Sequence, residues 1–179
     1  MSGHIPGLHH VTAICSDAQQ NIDFYCGVLG LRLVKLTVNF DDPGAYHLYY
    51  GDEFGRPGSC MTFFAWPGAQ TGRDGNGQTK ATAFSIPAGA LNFWKEHLNN
   101  NGVFTKQLAP RFGDEVLSFA DPDGLQIEII AARNDQREPW SASPVPVEYS
   151  IRGFHSVTLC EEGYERTAHL LTDTMRFRF

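Results

Sequence analysis

Apolar and polar residues alternate with period two in some stretches of the chain and recur at helical spacing in others, and the order of these stretches repeats. Residues 8–14 (LHHVTAI) mix β-branched and apolar side chains and predict a strand. Asp17 then offers a helix N-cap, Ile22, Tyr25 and Leu29 follow on one helical face, and Gly30 stands where a helix-ending glycine belongs. LRLVKLTVNF, AYHLYYG and SCMTFFAW predict three more strands, separated by the turns DDPG and DEFGRPG. The order over residues 7–66 is therefore strand, helix, strand, strand, strand.

A Gly-rich polar segment, 68–79, has no periodicity and predicts a loop, after which the same order returns over residues 80–132. ATAFSI predicts a strand, and Pro87 stands where the first turn of a helix tolerates proline. Leu91, Trp94 and Leu98 form a helical stripe that ends at Gly102, and FTKQLA, EVLSFAD and LQIEIIAA predict three strands. Residues 133–150, with three prolines and several charges, predict a connector across the surface.

A third copy begins after the connector. GFHSVTLC at 153–160 echoes GLHHVTAIC at 7–15, so that an offset of 146 puts Gly153 on Gly7, His155 on His9, Val157 on Val11 and Thr158 on Thr12. Residues 151–179 hold the strand, the helix and, in FRF, the opening of a second strand. A sheet edge left there without neighbours predicts a fragment of a chain of about 300 residues, roughly two periods of the repeat. The rival expectation is a short form that completes itself by pairing with a second copy.

Composition narrows the classes. Hydrophobic residues make up 42% and charged residues 19%, as in a globular protein. A net charge of -6 and a pI near 5.6 argue against nucleic acid as a partner. No apolar run is long enough to span a membrane, and MSGHIPGLHH lacks the basic start and apolar stretch of a signal peptide. The four cysteines show no paired spacing and three sit in apolar segments, which predicts reduced core thiols in a cytoplasmic protein.

The opening LHHVTAICSDAQQNIDFYCGVLGLRLV and the turn-and-strand ADPDGLQIEII resemble the vicinal-oxygen-chelate superfamily, which includes glyoxalase I, bleomycin- and fosfomycin-resistance proteins and extradiol dioxygenases. VKLTVNFDDPGAYHLYYGDEFGRPGSCMTFF, PRFGDEVLSFADPDG, NDQREPW and RGFHSVT are similar to the hydroquinone-type ring-cleaving dioxygenases within it. The resemblance covers essentially the whole chain. It implies an α+β fold of repeated βαβββ units, with mixed sheets curved into a half-barrel and helices on the outside. It also implies Fe(II), with Mn(II) as an alternative, held by two His and one carboxylate so that a small aromatic substrate and O2 meet already oriented.

Alternation puts Leu8, His10, Thr12 and Ile14 on one face of their strand, and the resemblance places the first-strand metal ligand at His10. Ser156 stands at the equivalent position of the third copy, so that unit cannot supply the same ligand. Glu128 lies in a strand too apolar for a solvated carboxylate, and it either binds metal, as in glyoxalase-like relatives, or pairs with Arg111 or Arg133. In the hydroquinone-cleaving relatives the second His and the working carboxylate are implied to come from a fourth unit. His47 and Tyr49, with Tyr46 and Tyr50, could line a pocket for a phenolic ring or be ordinary half-buried strand residues. His4, His97 and His169 read as structural or surface residues. No phosphate-binding loop and no Ser-His-Asp or Cys-His arrangement is apparent.

The leading expectation is an Fe(II)-dependent ring-cleaving dioxygenase of hydroquinones or similar dihydroxylated aromatics, homo-oligomeric, and weak or inactive as 179 residues alone. The alternatives are a non-catalytic small-molecule-binding protein and a glyoxalase-like isomerase with His10 and Glu128 as co-ligands in a site completed across a dimer.

Overall fold

The chain opens with strand β1 (His10–Cys15), and Asp17 then caps helix α1 (Ala18–Ile22) by accepting the Gln20 amide at 2.7 Å. The computed structural model describes residue 5 and residues 7–70 and 72–179, so His4 lies outside the described residues. α1 continues as a π-helical turn over Asp23–Val28, closed by Leu29 N donating to Phe24 O at 2.9 Å. The extra residue in that turn rotates the buried face. Asn21, Phe24, Tyr25 and Leu29 are buried, whereas Ile22, expected on the apolar stripe, is only half-buried.

Strands β2 (Arg32–Val38), β3 (Tyr46–Gly51) and β4 (Cys60–Ala65) complete a four-stranded sheet of order β1-β4-β3-β2, with β1 parallel to β4 and the other pairs antiparallel. The second unit repeats this arrangement. β5 (Gln78–Pro87) lies parallel to β8 (Gln126–Ala132), followed by β7 (Asp114–Ala120) and β6 (Thr105–Arg111), with α2 (Leu91–Asn100) connecting β5 to β6.

Two boundaries differ from expectation for tertiary reasons. β5 starts at Gln78, inside the segment read as loop, because Gln78 and Thr79 pair with Cys160 and Leu159 of β9 (Gly153–Cys160). Pro87 ends that strand rather than opening the helix, and its carbonyl accepts the Ala90 amide at 3.1 Å in a turn that precedes α2. A strand end tolerates a residue with no N–H to donate.

β9 adds antiparallel to the outer edge of β5 and makes the second sheet five-stranded, β6-β7-β8-β5-β9. A short helix α3 (Glu165–His169) and a second π-helical turn (Leu170–Thr174) follow. Residues 177–179, expected to open a strand, form none.

One face of each sheet and both helices α1 and α2 contribute to a single apolar core. Tyr25 stacks on Tyr50 at 5.1 Å and approaches Phe63 at 4.7 Å in the first sheet, while its hydroxyl donates to Asp121 beyond β7 at 3.0 Å. Phe24 meets Phe119 of β7 at 6.4 Å. Each helix therefore covers the core side of its sheet and leaves the other side bare.

The connector does more than cross the surface. Val145 and Ser150 are buried, Tyr149 stacks on Phe93 at 4.3 Å, and Ser143 donates to the Gly30 carbonyl at 2.8 Å. Where it enters β9, Phe154 N donates to Gly58 O at 2.7 Å, and Gly58 N donates to His9 O at 2.8 Å, which joins β9 to β1 through one residue. Gly153 has φ +135, and a Cβ there would lie 2.6 Å from Arg137 Nη1 and 2.7 Å from Gly58 O, so the junction accepts only glycine.

Candidate functional site

In-register pairing places the bare face of the first sheet in rows. His10 stands beside Cys60; Thr12, Thr62, Tyr49 and Lys35 form a row across all four strands; Ile14, Phe64, His47 and Thr37 form the next. Alternation along each strand sends Val11, Ala13, Met61, Phe63, Leu48 and Tyr50 to the core and these residues to the other side.

Polar groups on this face are linked. Tyr49 Oη lies 2.9 Å from His47 Nδ1, His47 Nε2 lies 3.3 Å from Thr62 Oγ1, and Thr62 Oγ1 lies 2.9 Å from Thr12 Oγ1. The Lys35 ammonium sits 5.1 Å from the Tyr49 ring centre, and Phe64 covers His47 at 4.0 Å. Desolvation lowers the His47 pKa, and proximity to Lys35 and then His10 lowers it further. Desolvation raises the Tyr49 pKa, with a smaller contribution from Cys60.

His10 is exposed on this open face, and its Nδ1 meets His9 Nδ1 at 3.1 Å. β1 is an edge strand: its other edge carries no partner among the described residues. In the second unit the same edge, that of β5, is occupied by β9. The first unit thus shows open what the second shows filled.

Glu128 is elsewhere. It lies on the bare face of the second sheet, in a row with Ser118, Ala83 and Ser156. Arg111 takes both its oxygens, Nη1 donating to Oε2 at 2.6 Å and Nη2 to Oε1 at 3.0 Å. Ala83, Val116 and Ile130 are buried on the same face. Its companions there are an arginine, two serines and apolar side chains, and among the described residues it joins no group of three possible metal ligands. The structure therefore does not bring His10 and Glu128 together, and a site that needs both as co-ligands is not formed within this chain.

His47 and Tyr49 share the face of His10, as do Thr12, Thr62, Cys60 and Lys35. Thr62 and Lys35 stand outside the set read from the sequence, because only cross-strand register brings them into a row with Thr12. Among the described residues no three His, Cys, Asp or Glu side chains come together as a metal-binding group.

Residues 7–129 match the model of the Glyoxalase/Bleomycin resistance protein/Dioxygenase superfamily. The chain belongs to this superfamily. Among its superfamily relatives, a Bacillus subtilis (strain 168) protein provisionally named ring-cleaving dioxygenase MhqO is 47% identical over 170 residues, covering 94% of this chain and 54% of that protein. The chlorohydroquinone/hydroquinone 1,2-dioxygenase of Sphingobium indicum is 43% identical over 158 residues, covering 86% of this chain and 49% of that one. A crystal structure provisionally named as a dioxygenase from Bacillus subtilis superposes with a TM-score of 0.91 at 45% identity, covering 97% of this chain and 56% of that one. The chain spans about half the length of the curated relatives it matches. Among the described residues no helix is long and apolar enough to cross a membrane.

Proposed function

We propose that this chain is part of a cytoplasmic, homo-oligomeric ring-cleaving dioxygenase acting on hydroquinones or similar dihydroxylated aromatics, with His10 as one ligand of an Fe(II) ion. The carrying observation is His10 on the bare, polar face of an edge strand, beside His47 and Tyr49, in a chain whose relatives bear ring-cleaving names.

On this reading residues 7–66 and 80–132 are two βαβββ units, 133–150 connects them to a third unit begun at 151–179, and a further unit adds across the free edge of β1. The β5–β9 pairing supports this, because β9 occupies on β5 the edge that β1 leaves open. The added unit brings the second imidazole and the carboxylate, completing the two-His, one-carboxylate set that suits non-haem iron. Bound iron supplies a place where the aromatic and O2 meet in a reactive orientation. His10 Nε2 is the donor on this chain, since Nδ1 is engaged by His9. Tyr49 and His47 flank the aromatic ring, and Lys35 adds positive charge that favours a phenolate.

Glu128 is assigned to Arg111 rather than to the ion, and the isomerase alternative, which needs Glu128 beside His10, is set aside for that reason. The test is oxygen uptake with hydroquinone and Fe(II), measured on the protein of the complete reading frame, on its His10→Ala variant and on the 179 residues alone. Uptake is expected from the complete protein only. Robust turnover by the 179-residue chain, or an unaffected His10→Ala enzyme, overturns the proposal. A protein that binds hydroquinone equally well without iron, and without consuming oxygen, would be a binding protein instead.

A further inference from the structure

The linked side chains on the bare face have a property that their separate roles do not suggest. Thr62 has one hydroxyl proton and two neighbours, Thr12 Oγ1 at 2.9 Å and His47 Nε2 at 3.3 Å. If Thr62 donates to Thr12, His47 Nε2–H must donate to Thr62, and Nδ1 accepts from Tyr49 O–H. If Thr62 donates to His47 Nε2, Thr12 donates to Thr62, and His47 Nδ1–H donates to Tyr49 Oη. The two arrangements differ only in hydroxyl rotation and imidazole tautomer. A chain with those two states moves a proton from one end to the other.

Its outer end is Thr12, two residues from His10 on the same face of β1. Its inner end is an imidazole packed against Phe64. Thr62 is buried, so water cannot readily short-circuit the middle of the chain.

We propose that His47 is the proton acceptor for an aromatic hydroxyl bound beside His10, reached through Thr62 and Thr12. This rests on the reading of the bare face as the substrate site. In the step, the substrate hydroxyl gives its proton to Thr12 Oγ1, Thr12 passes its own to Thr62 Oγ1, and Thr62 passes its own to His47 Nε2. The substrate is left as phenolate and His47 as imidazolium, with Nδ1–H donating to Tyr49 Oη. The reverse path returns the proton to the product. Removing a proton from a phenol near neutral pH needs an acceptor of this kind, and a neutral imidazole is matched to the task.

Lys35 of β2, His10 of β1, Cys60 of β4 and Tyr49 of β3 are the ionisable groups that share this face with His47. Desolvation and the Lys35 ammonium oppose the charged state of His47. The acceptor is therefore primed to give the proton back rather than to trap it.

The decisive variants are Thr62→Val, which keeps the shape and removes the hydroxyl, and Thr62→Ser, which restores it. The first measurement is the ¹⁵N imidazole spectrum of the 179-residue protein between pH 5 and 8. His47 is expected to be neutral at pH 7 with Nε2 unprotonated. Thr62→Val should shift the Nε2 resonance and raise the His47 pKa, because it removes a donor to the neutral form, and Thr62→Ser should restore both. A neutral His47 protonated at Nε2, or a resonance that Thr62→Val does not move, overturns the proposal.

The second measurement is on the complete, iron-loaded protein with hydroquinone. Thr62→Val should lower kcat about 100-fold, leave iron content and KM unchanged, and abolish the acid limb of the pH–kcat profile. Wild-type kcat with that limb intact overturns the relay. If the wild-type complete protein takes up no oxygen, the dioxygenase reading falls by itself, and the imidazole spectrum still decides whether His47 accepts a proton through Thr62.

Discussion

Arg111 of β6 reaches past β7 to Glu128 of β8 and holds both carboxylate oxygens, at 2.6 and 3.0 Å. The Glu128 side chain is 6% exposed and that of Arg111 33%, so the pair is half-buried, with the carboxylate at its dry end. The ion pair makes a carboxylate tolerable on a face that also buries Ala83, Val116 and Ile130. It separates the two bare faces of the molecule: one is closed by its own side chains, the other is open around His10.

Arg111→Met should leave that carboxylate without a partner. Breaking a fully buried pair costs roughly 3–5 kcal/mol, and water at the Arg111 end should reduce this to about 2 kcal/mol. The urea midpoint should fall with an unchanged slope, and Arg111→Met/Glu128→Leu should recover most of the loss. An unaltered midpoint in the single variant would show that the pair contributes little.

Asp135 gives the fold an acid-sensitive clasp. Burial alone would raise its pKa, but hydrogen bonds from the Arg137 side chain and amide outweigh this and bring it to about 2, from 3.8. A carboxyl whose folded pKa is depressed stabilises the protein above its unfolded pKa and loses that contribution as pH falls through the folded value. The shift is worth about 2 kcal/mol, present above pH 4.5 and fading towards pH 2. Denaturant melts of wild type and Asp135→Asn should therefore differ most near neutrality and converge on acidification. A constant gap at every pH would assign the effect to packing.

Tyr25 joins the two sheets through a hydroxyl that donates to Asp121 at 3.0 Å, in a site where Tyr25 is fully buried. Desolvation raises the Asp121 pKa, while the amides of Leu125 and Asp123 and the Tyr25 hydroxyl oppose that rise. Tyr25→Phe keeps the ring stacked on Tyr50 and deletes only the donor. It should cost about 1.5–3 kcal/mol, the range for a hydrogen bond to a charged group, and raise the Asp121 pKa further. Thermal unfolding and a carboxyl ¹³C titration would check the two parts separately.

His10→Ala should do almost nothing to the fold. The imidazole is exposed at a sheet edge, so its removal should change stability by no more than about 0.5 kcal/mol when no metal is added. A large loss in thermal stability without metal would mean that His10 is a packing residue, and the ligand proposal would lose its basis.

The order strand, helix, strand, strand, strand is legible twice because the strands alternate with period two, while Trp94 and Leu98 keep helical spacing. The repeat GLHHVTAIC/GFHSVTLC announced a third first-strand, and β9 lies at Gly153–Cys160. Local spacing falls short where a second chain segment intervenes. The π-helical turn over Asp23–Val28 shifted the buried face from Ile22 towards Asn21 and Phe24, and no local spacing signals that extra residue. Gln78 and Thr79 look like loop until Cys160 and Leu159 pair with them.

The candidate site divides in the same way. His10, His47 and Tyr49 could be singled out from residue type, alternation and resemblance. By contrast, the strand pattern leaves the partner of Glu128 open between Arg111, Arg133 and a metal, since it shows that a carboxylate is buried but not what neutralises it.

Local pattern by itself determined the elements, their repeated order and the face on which each strand residue lies, because those depend on spacing along one backbone. Tertiary structure alone decided which strands are neighbours, that Thr62 links Thr12 to His47, and that His10 and Glu128 occupy separate faces. Those relations depend on register between segments dozens of residues apart, and no single strand encodes the register of its partner.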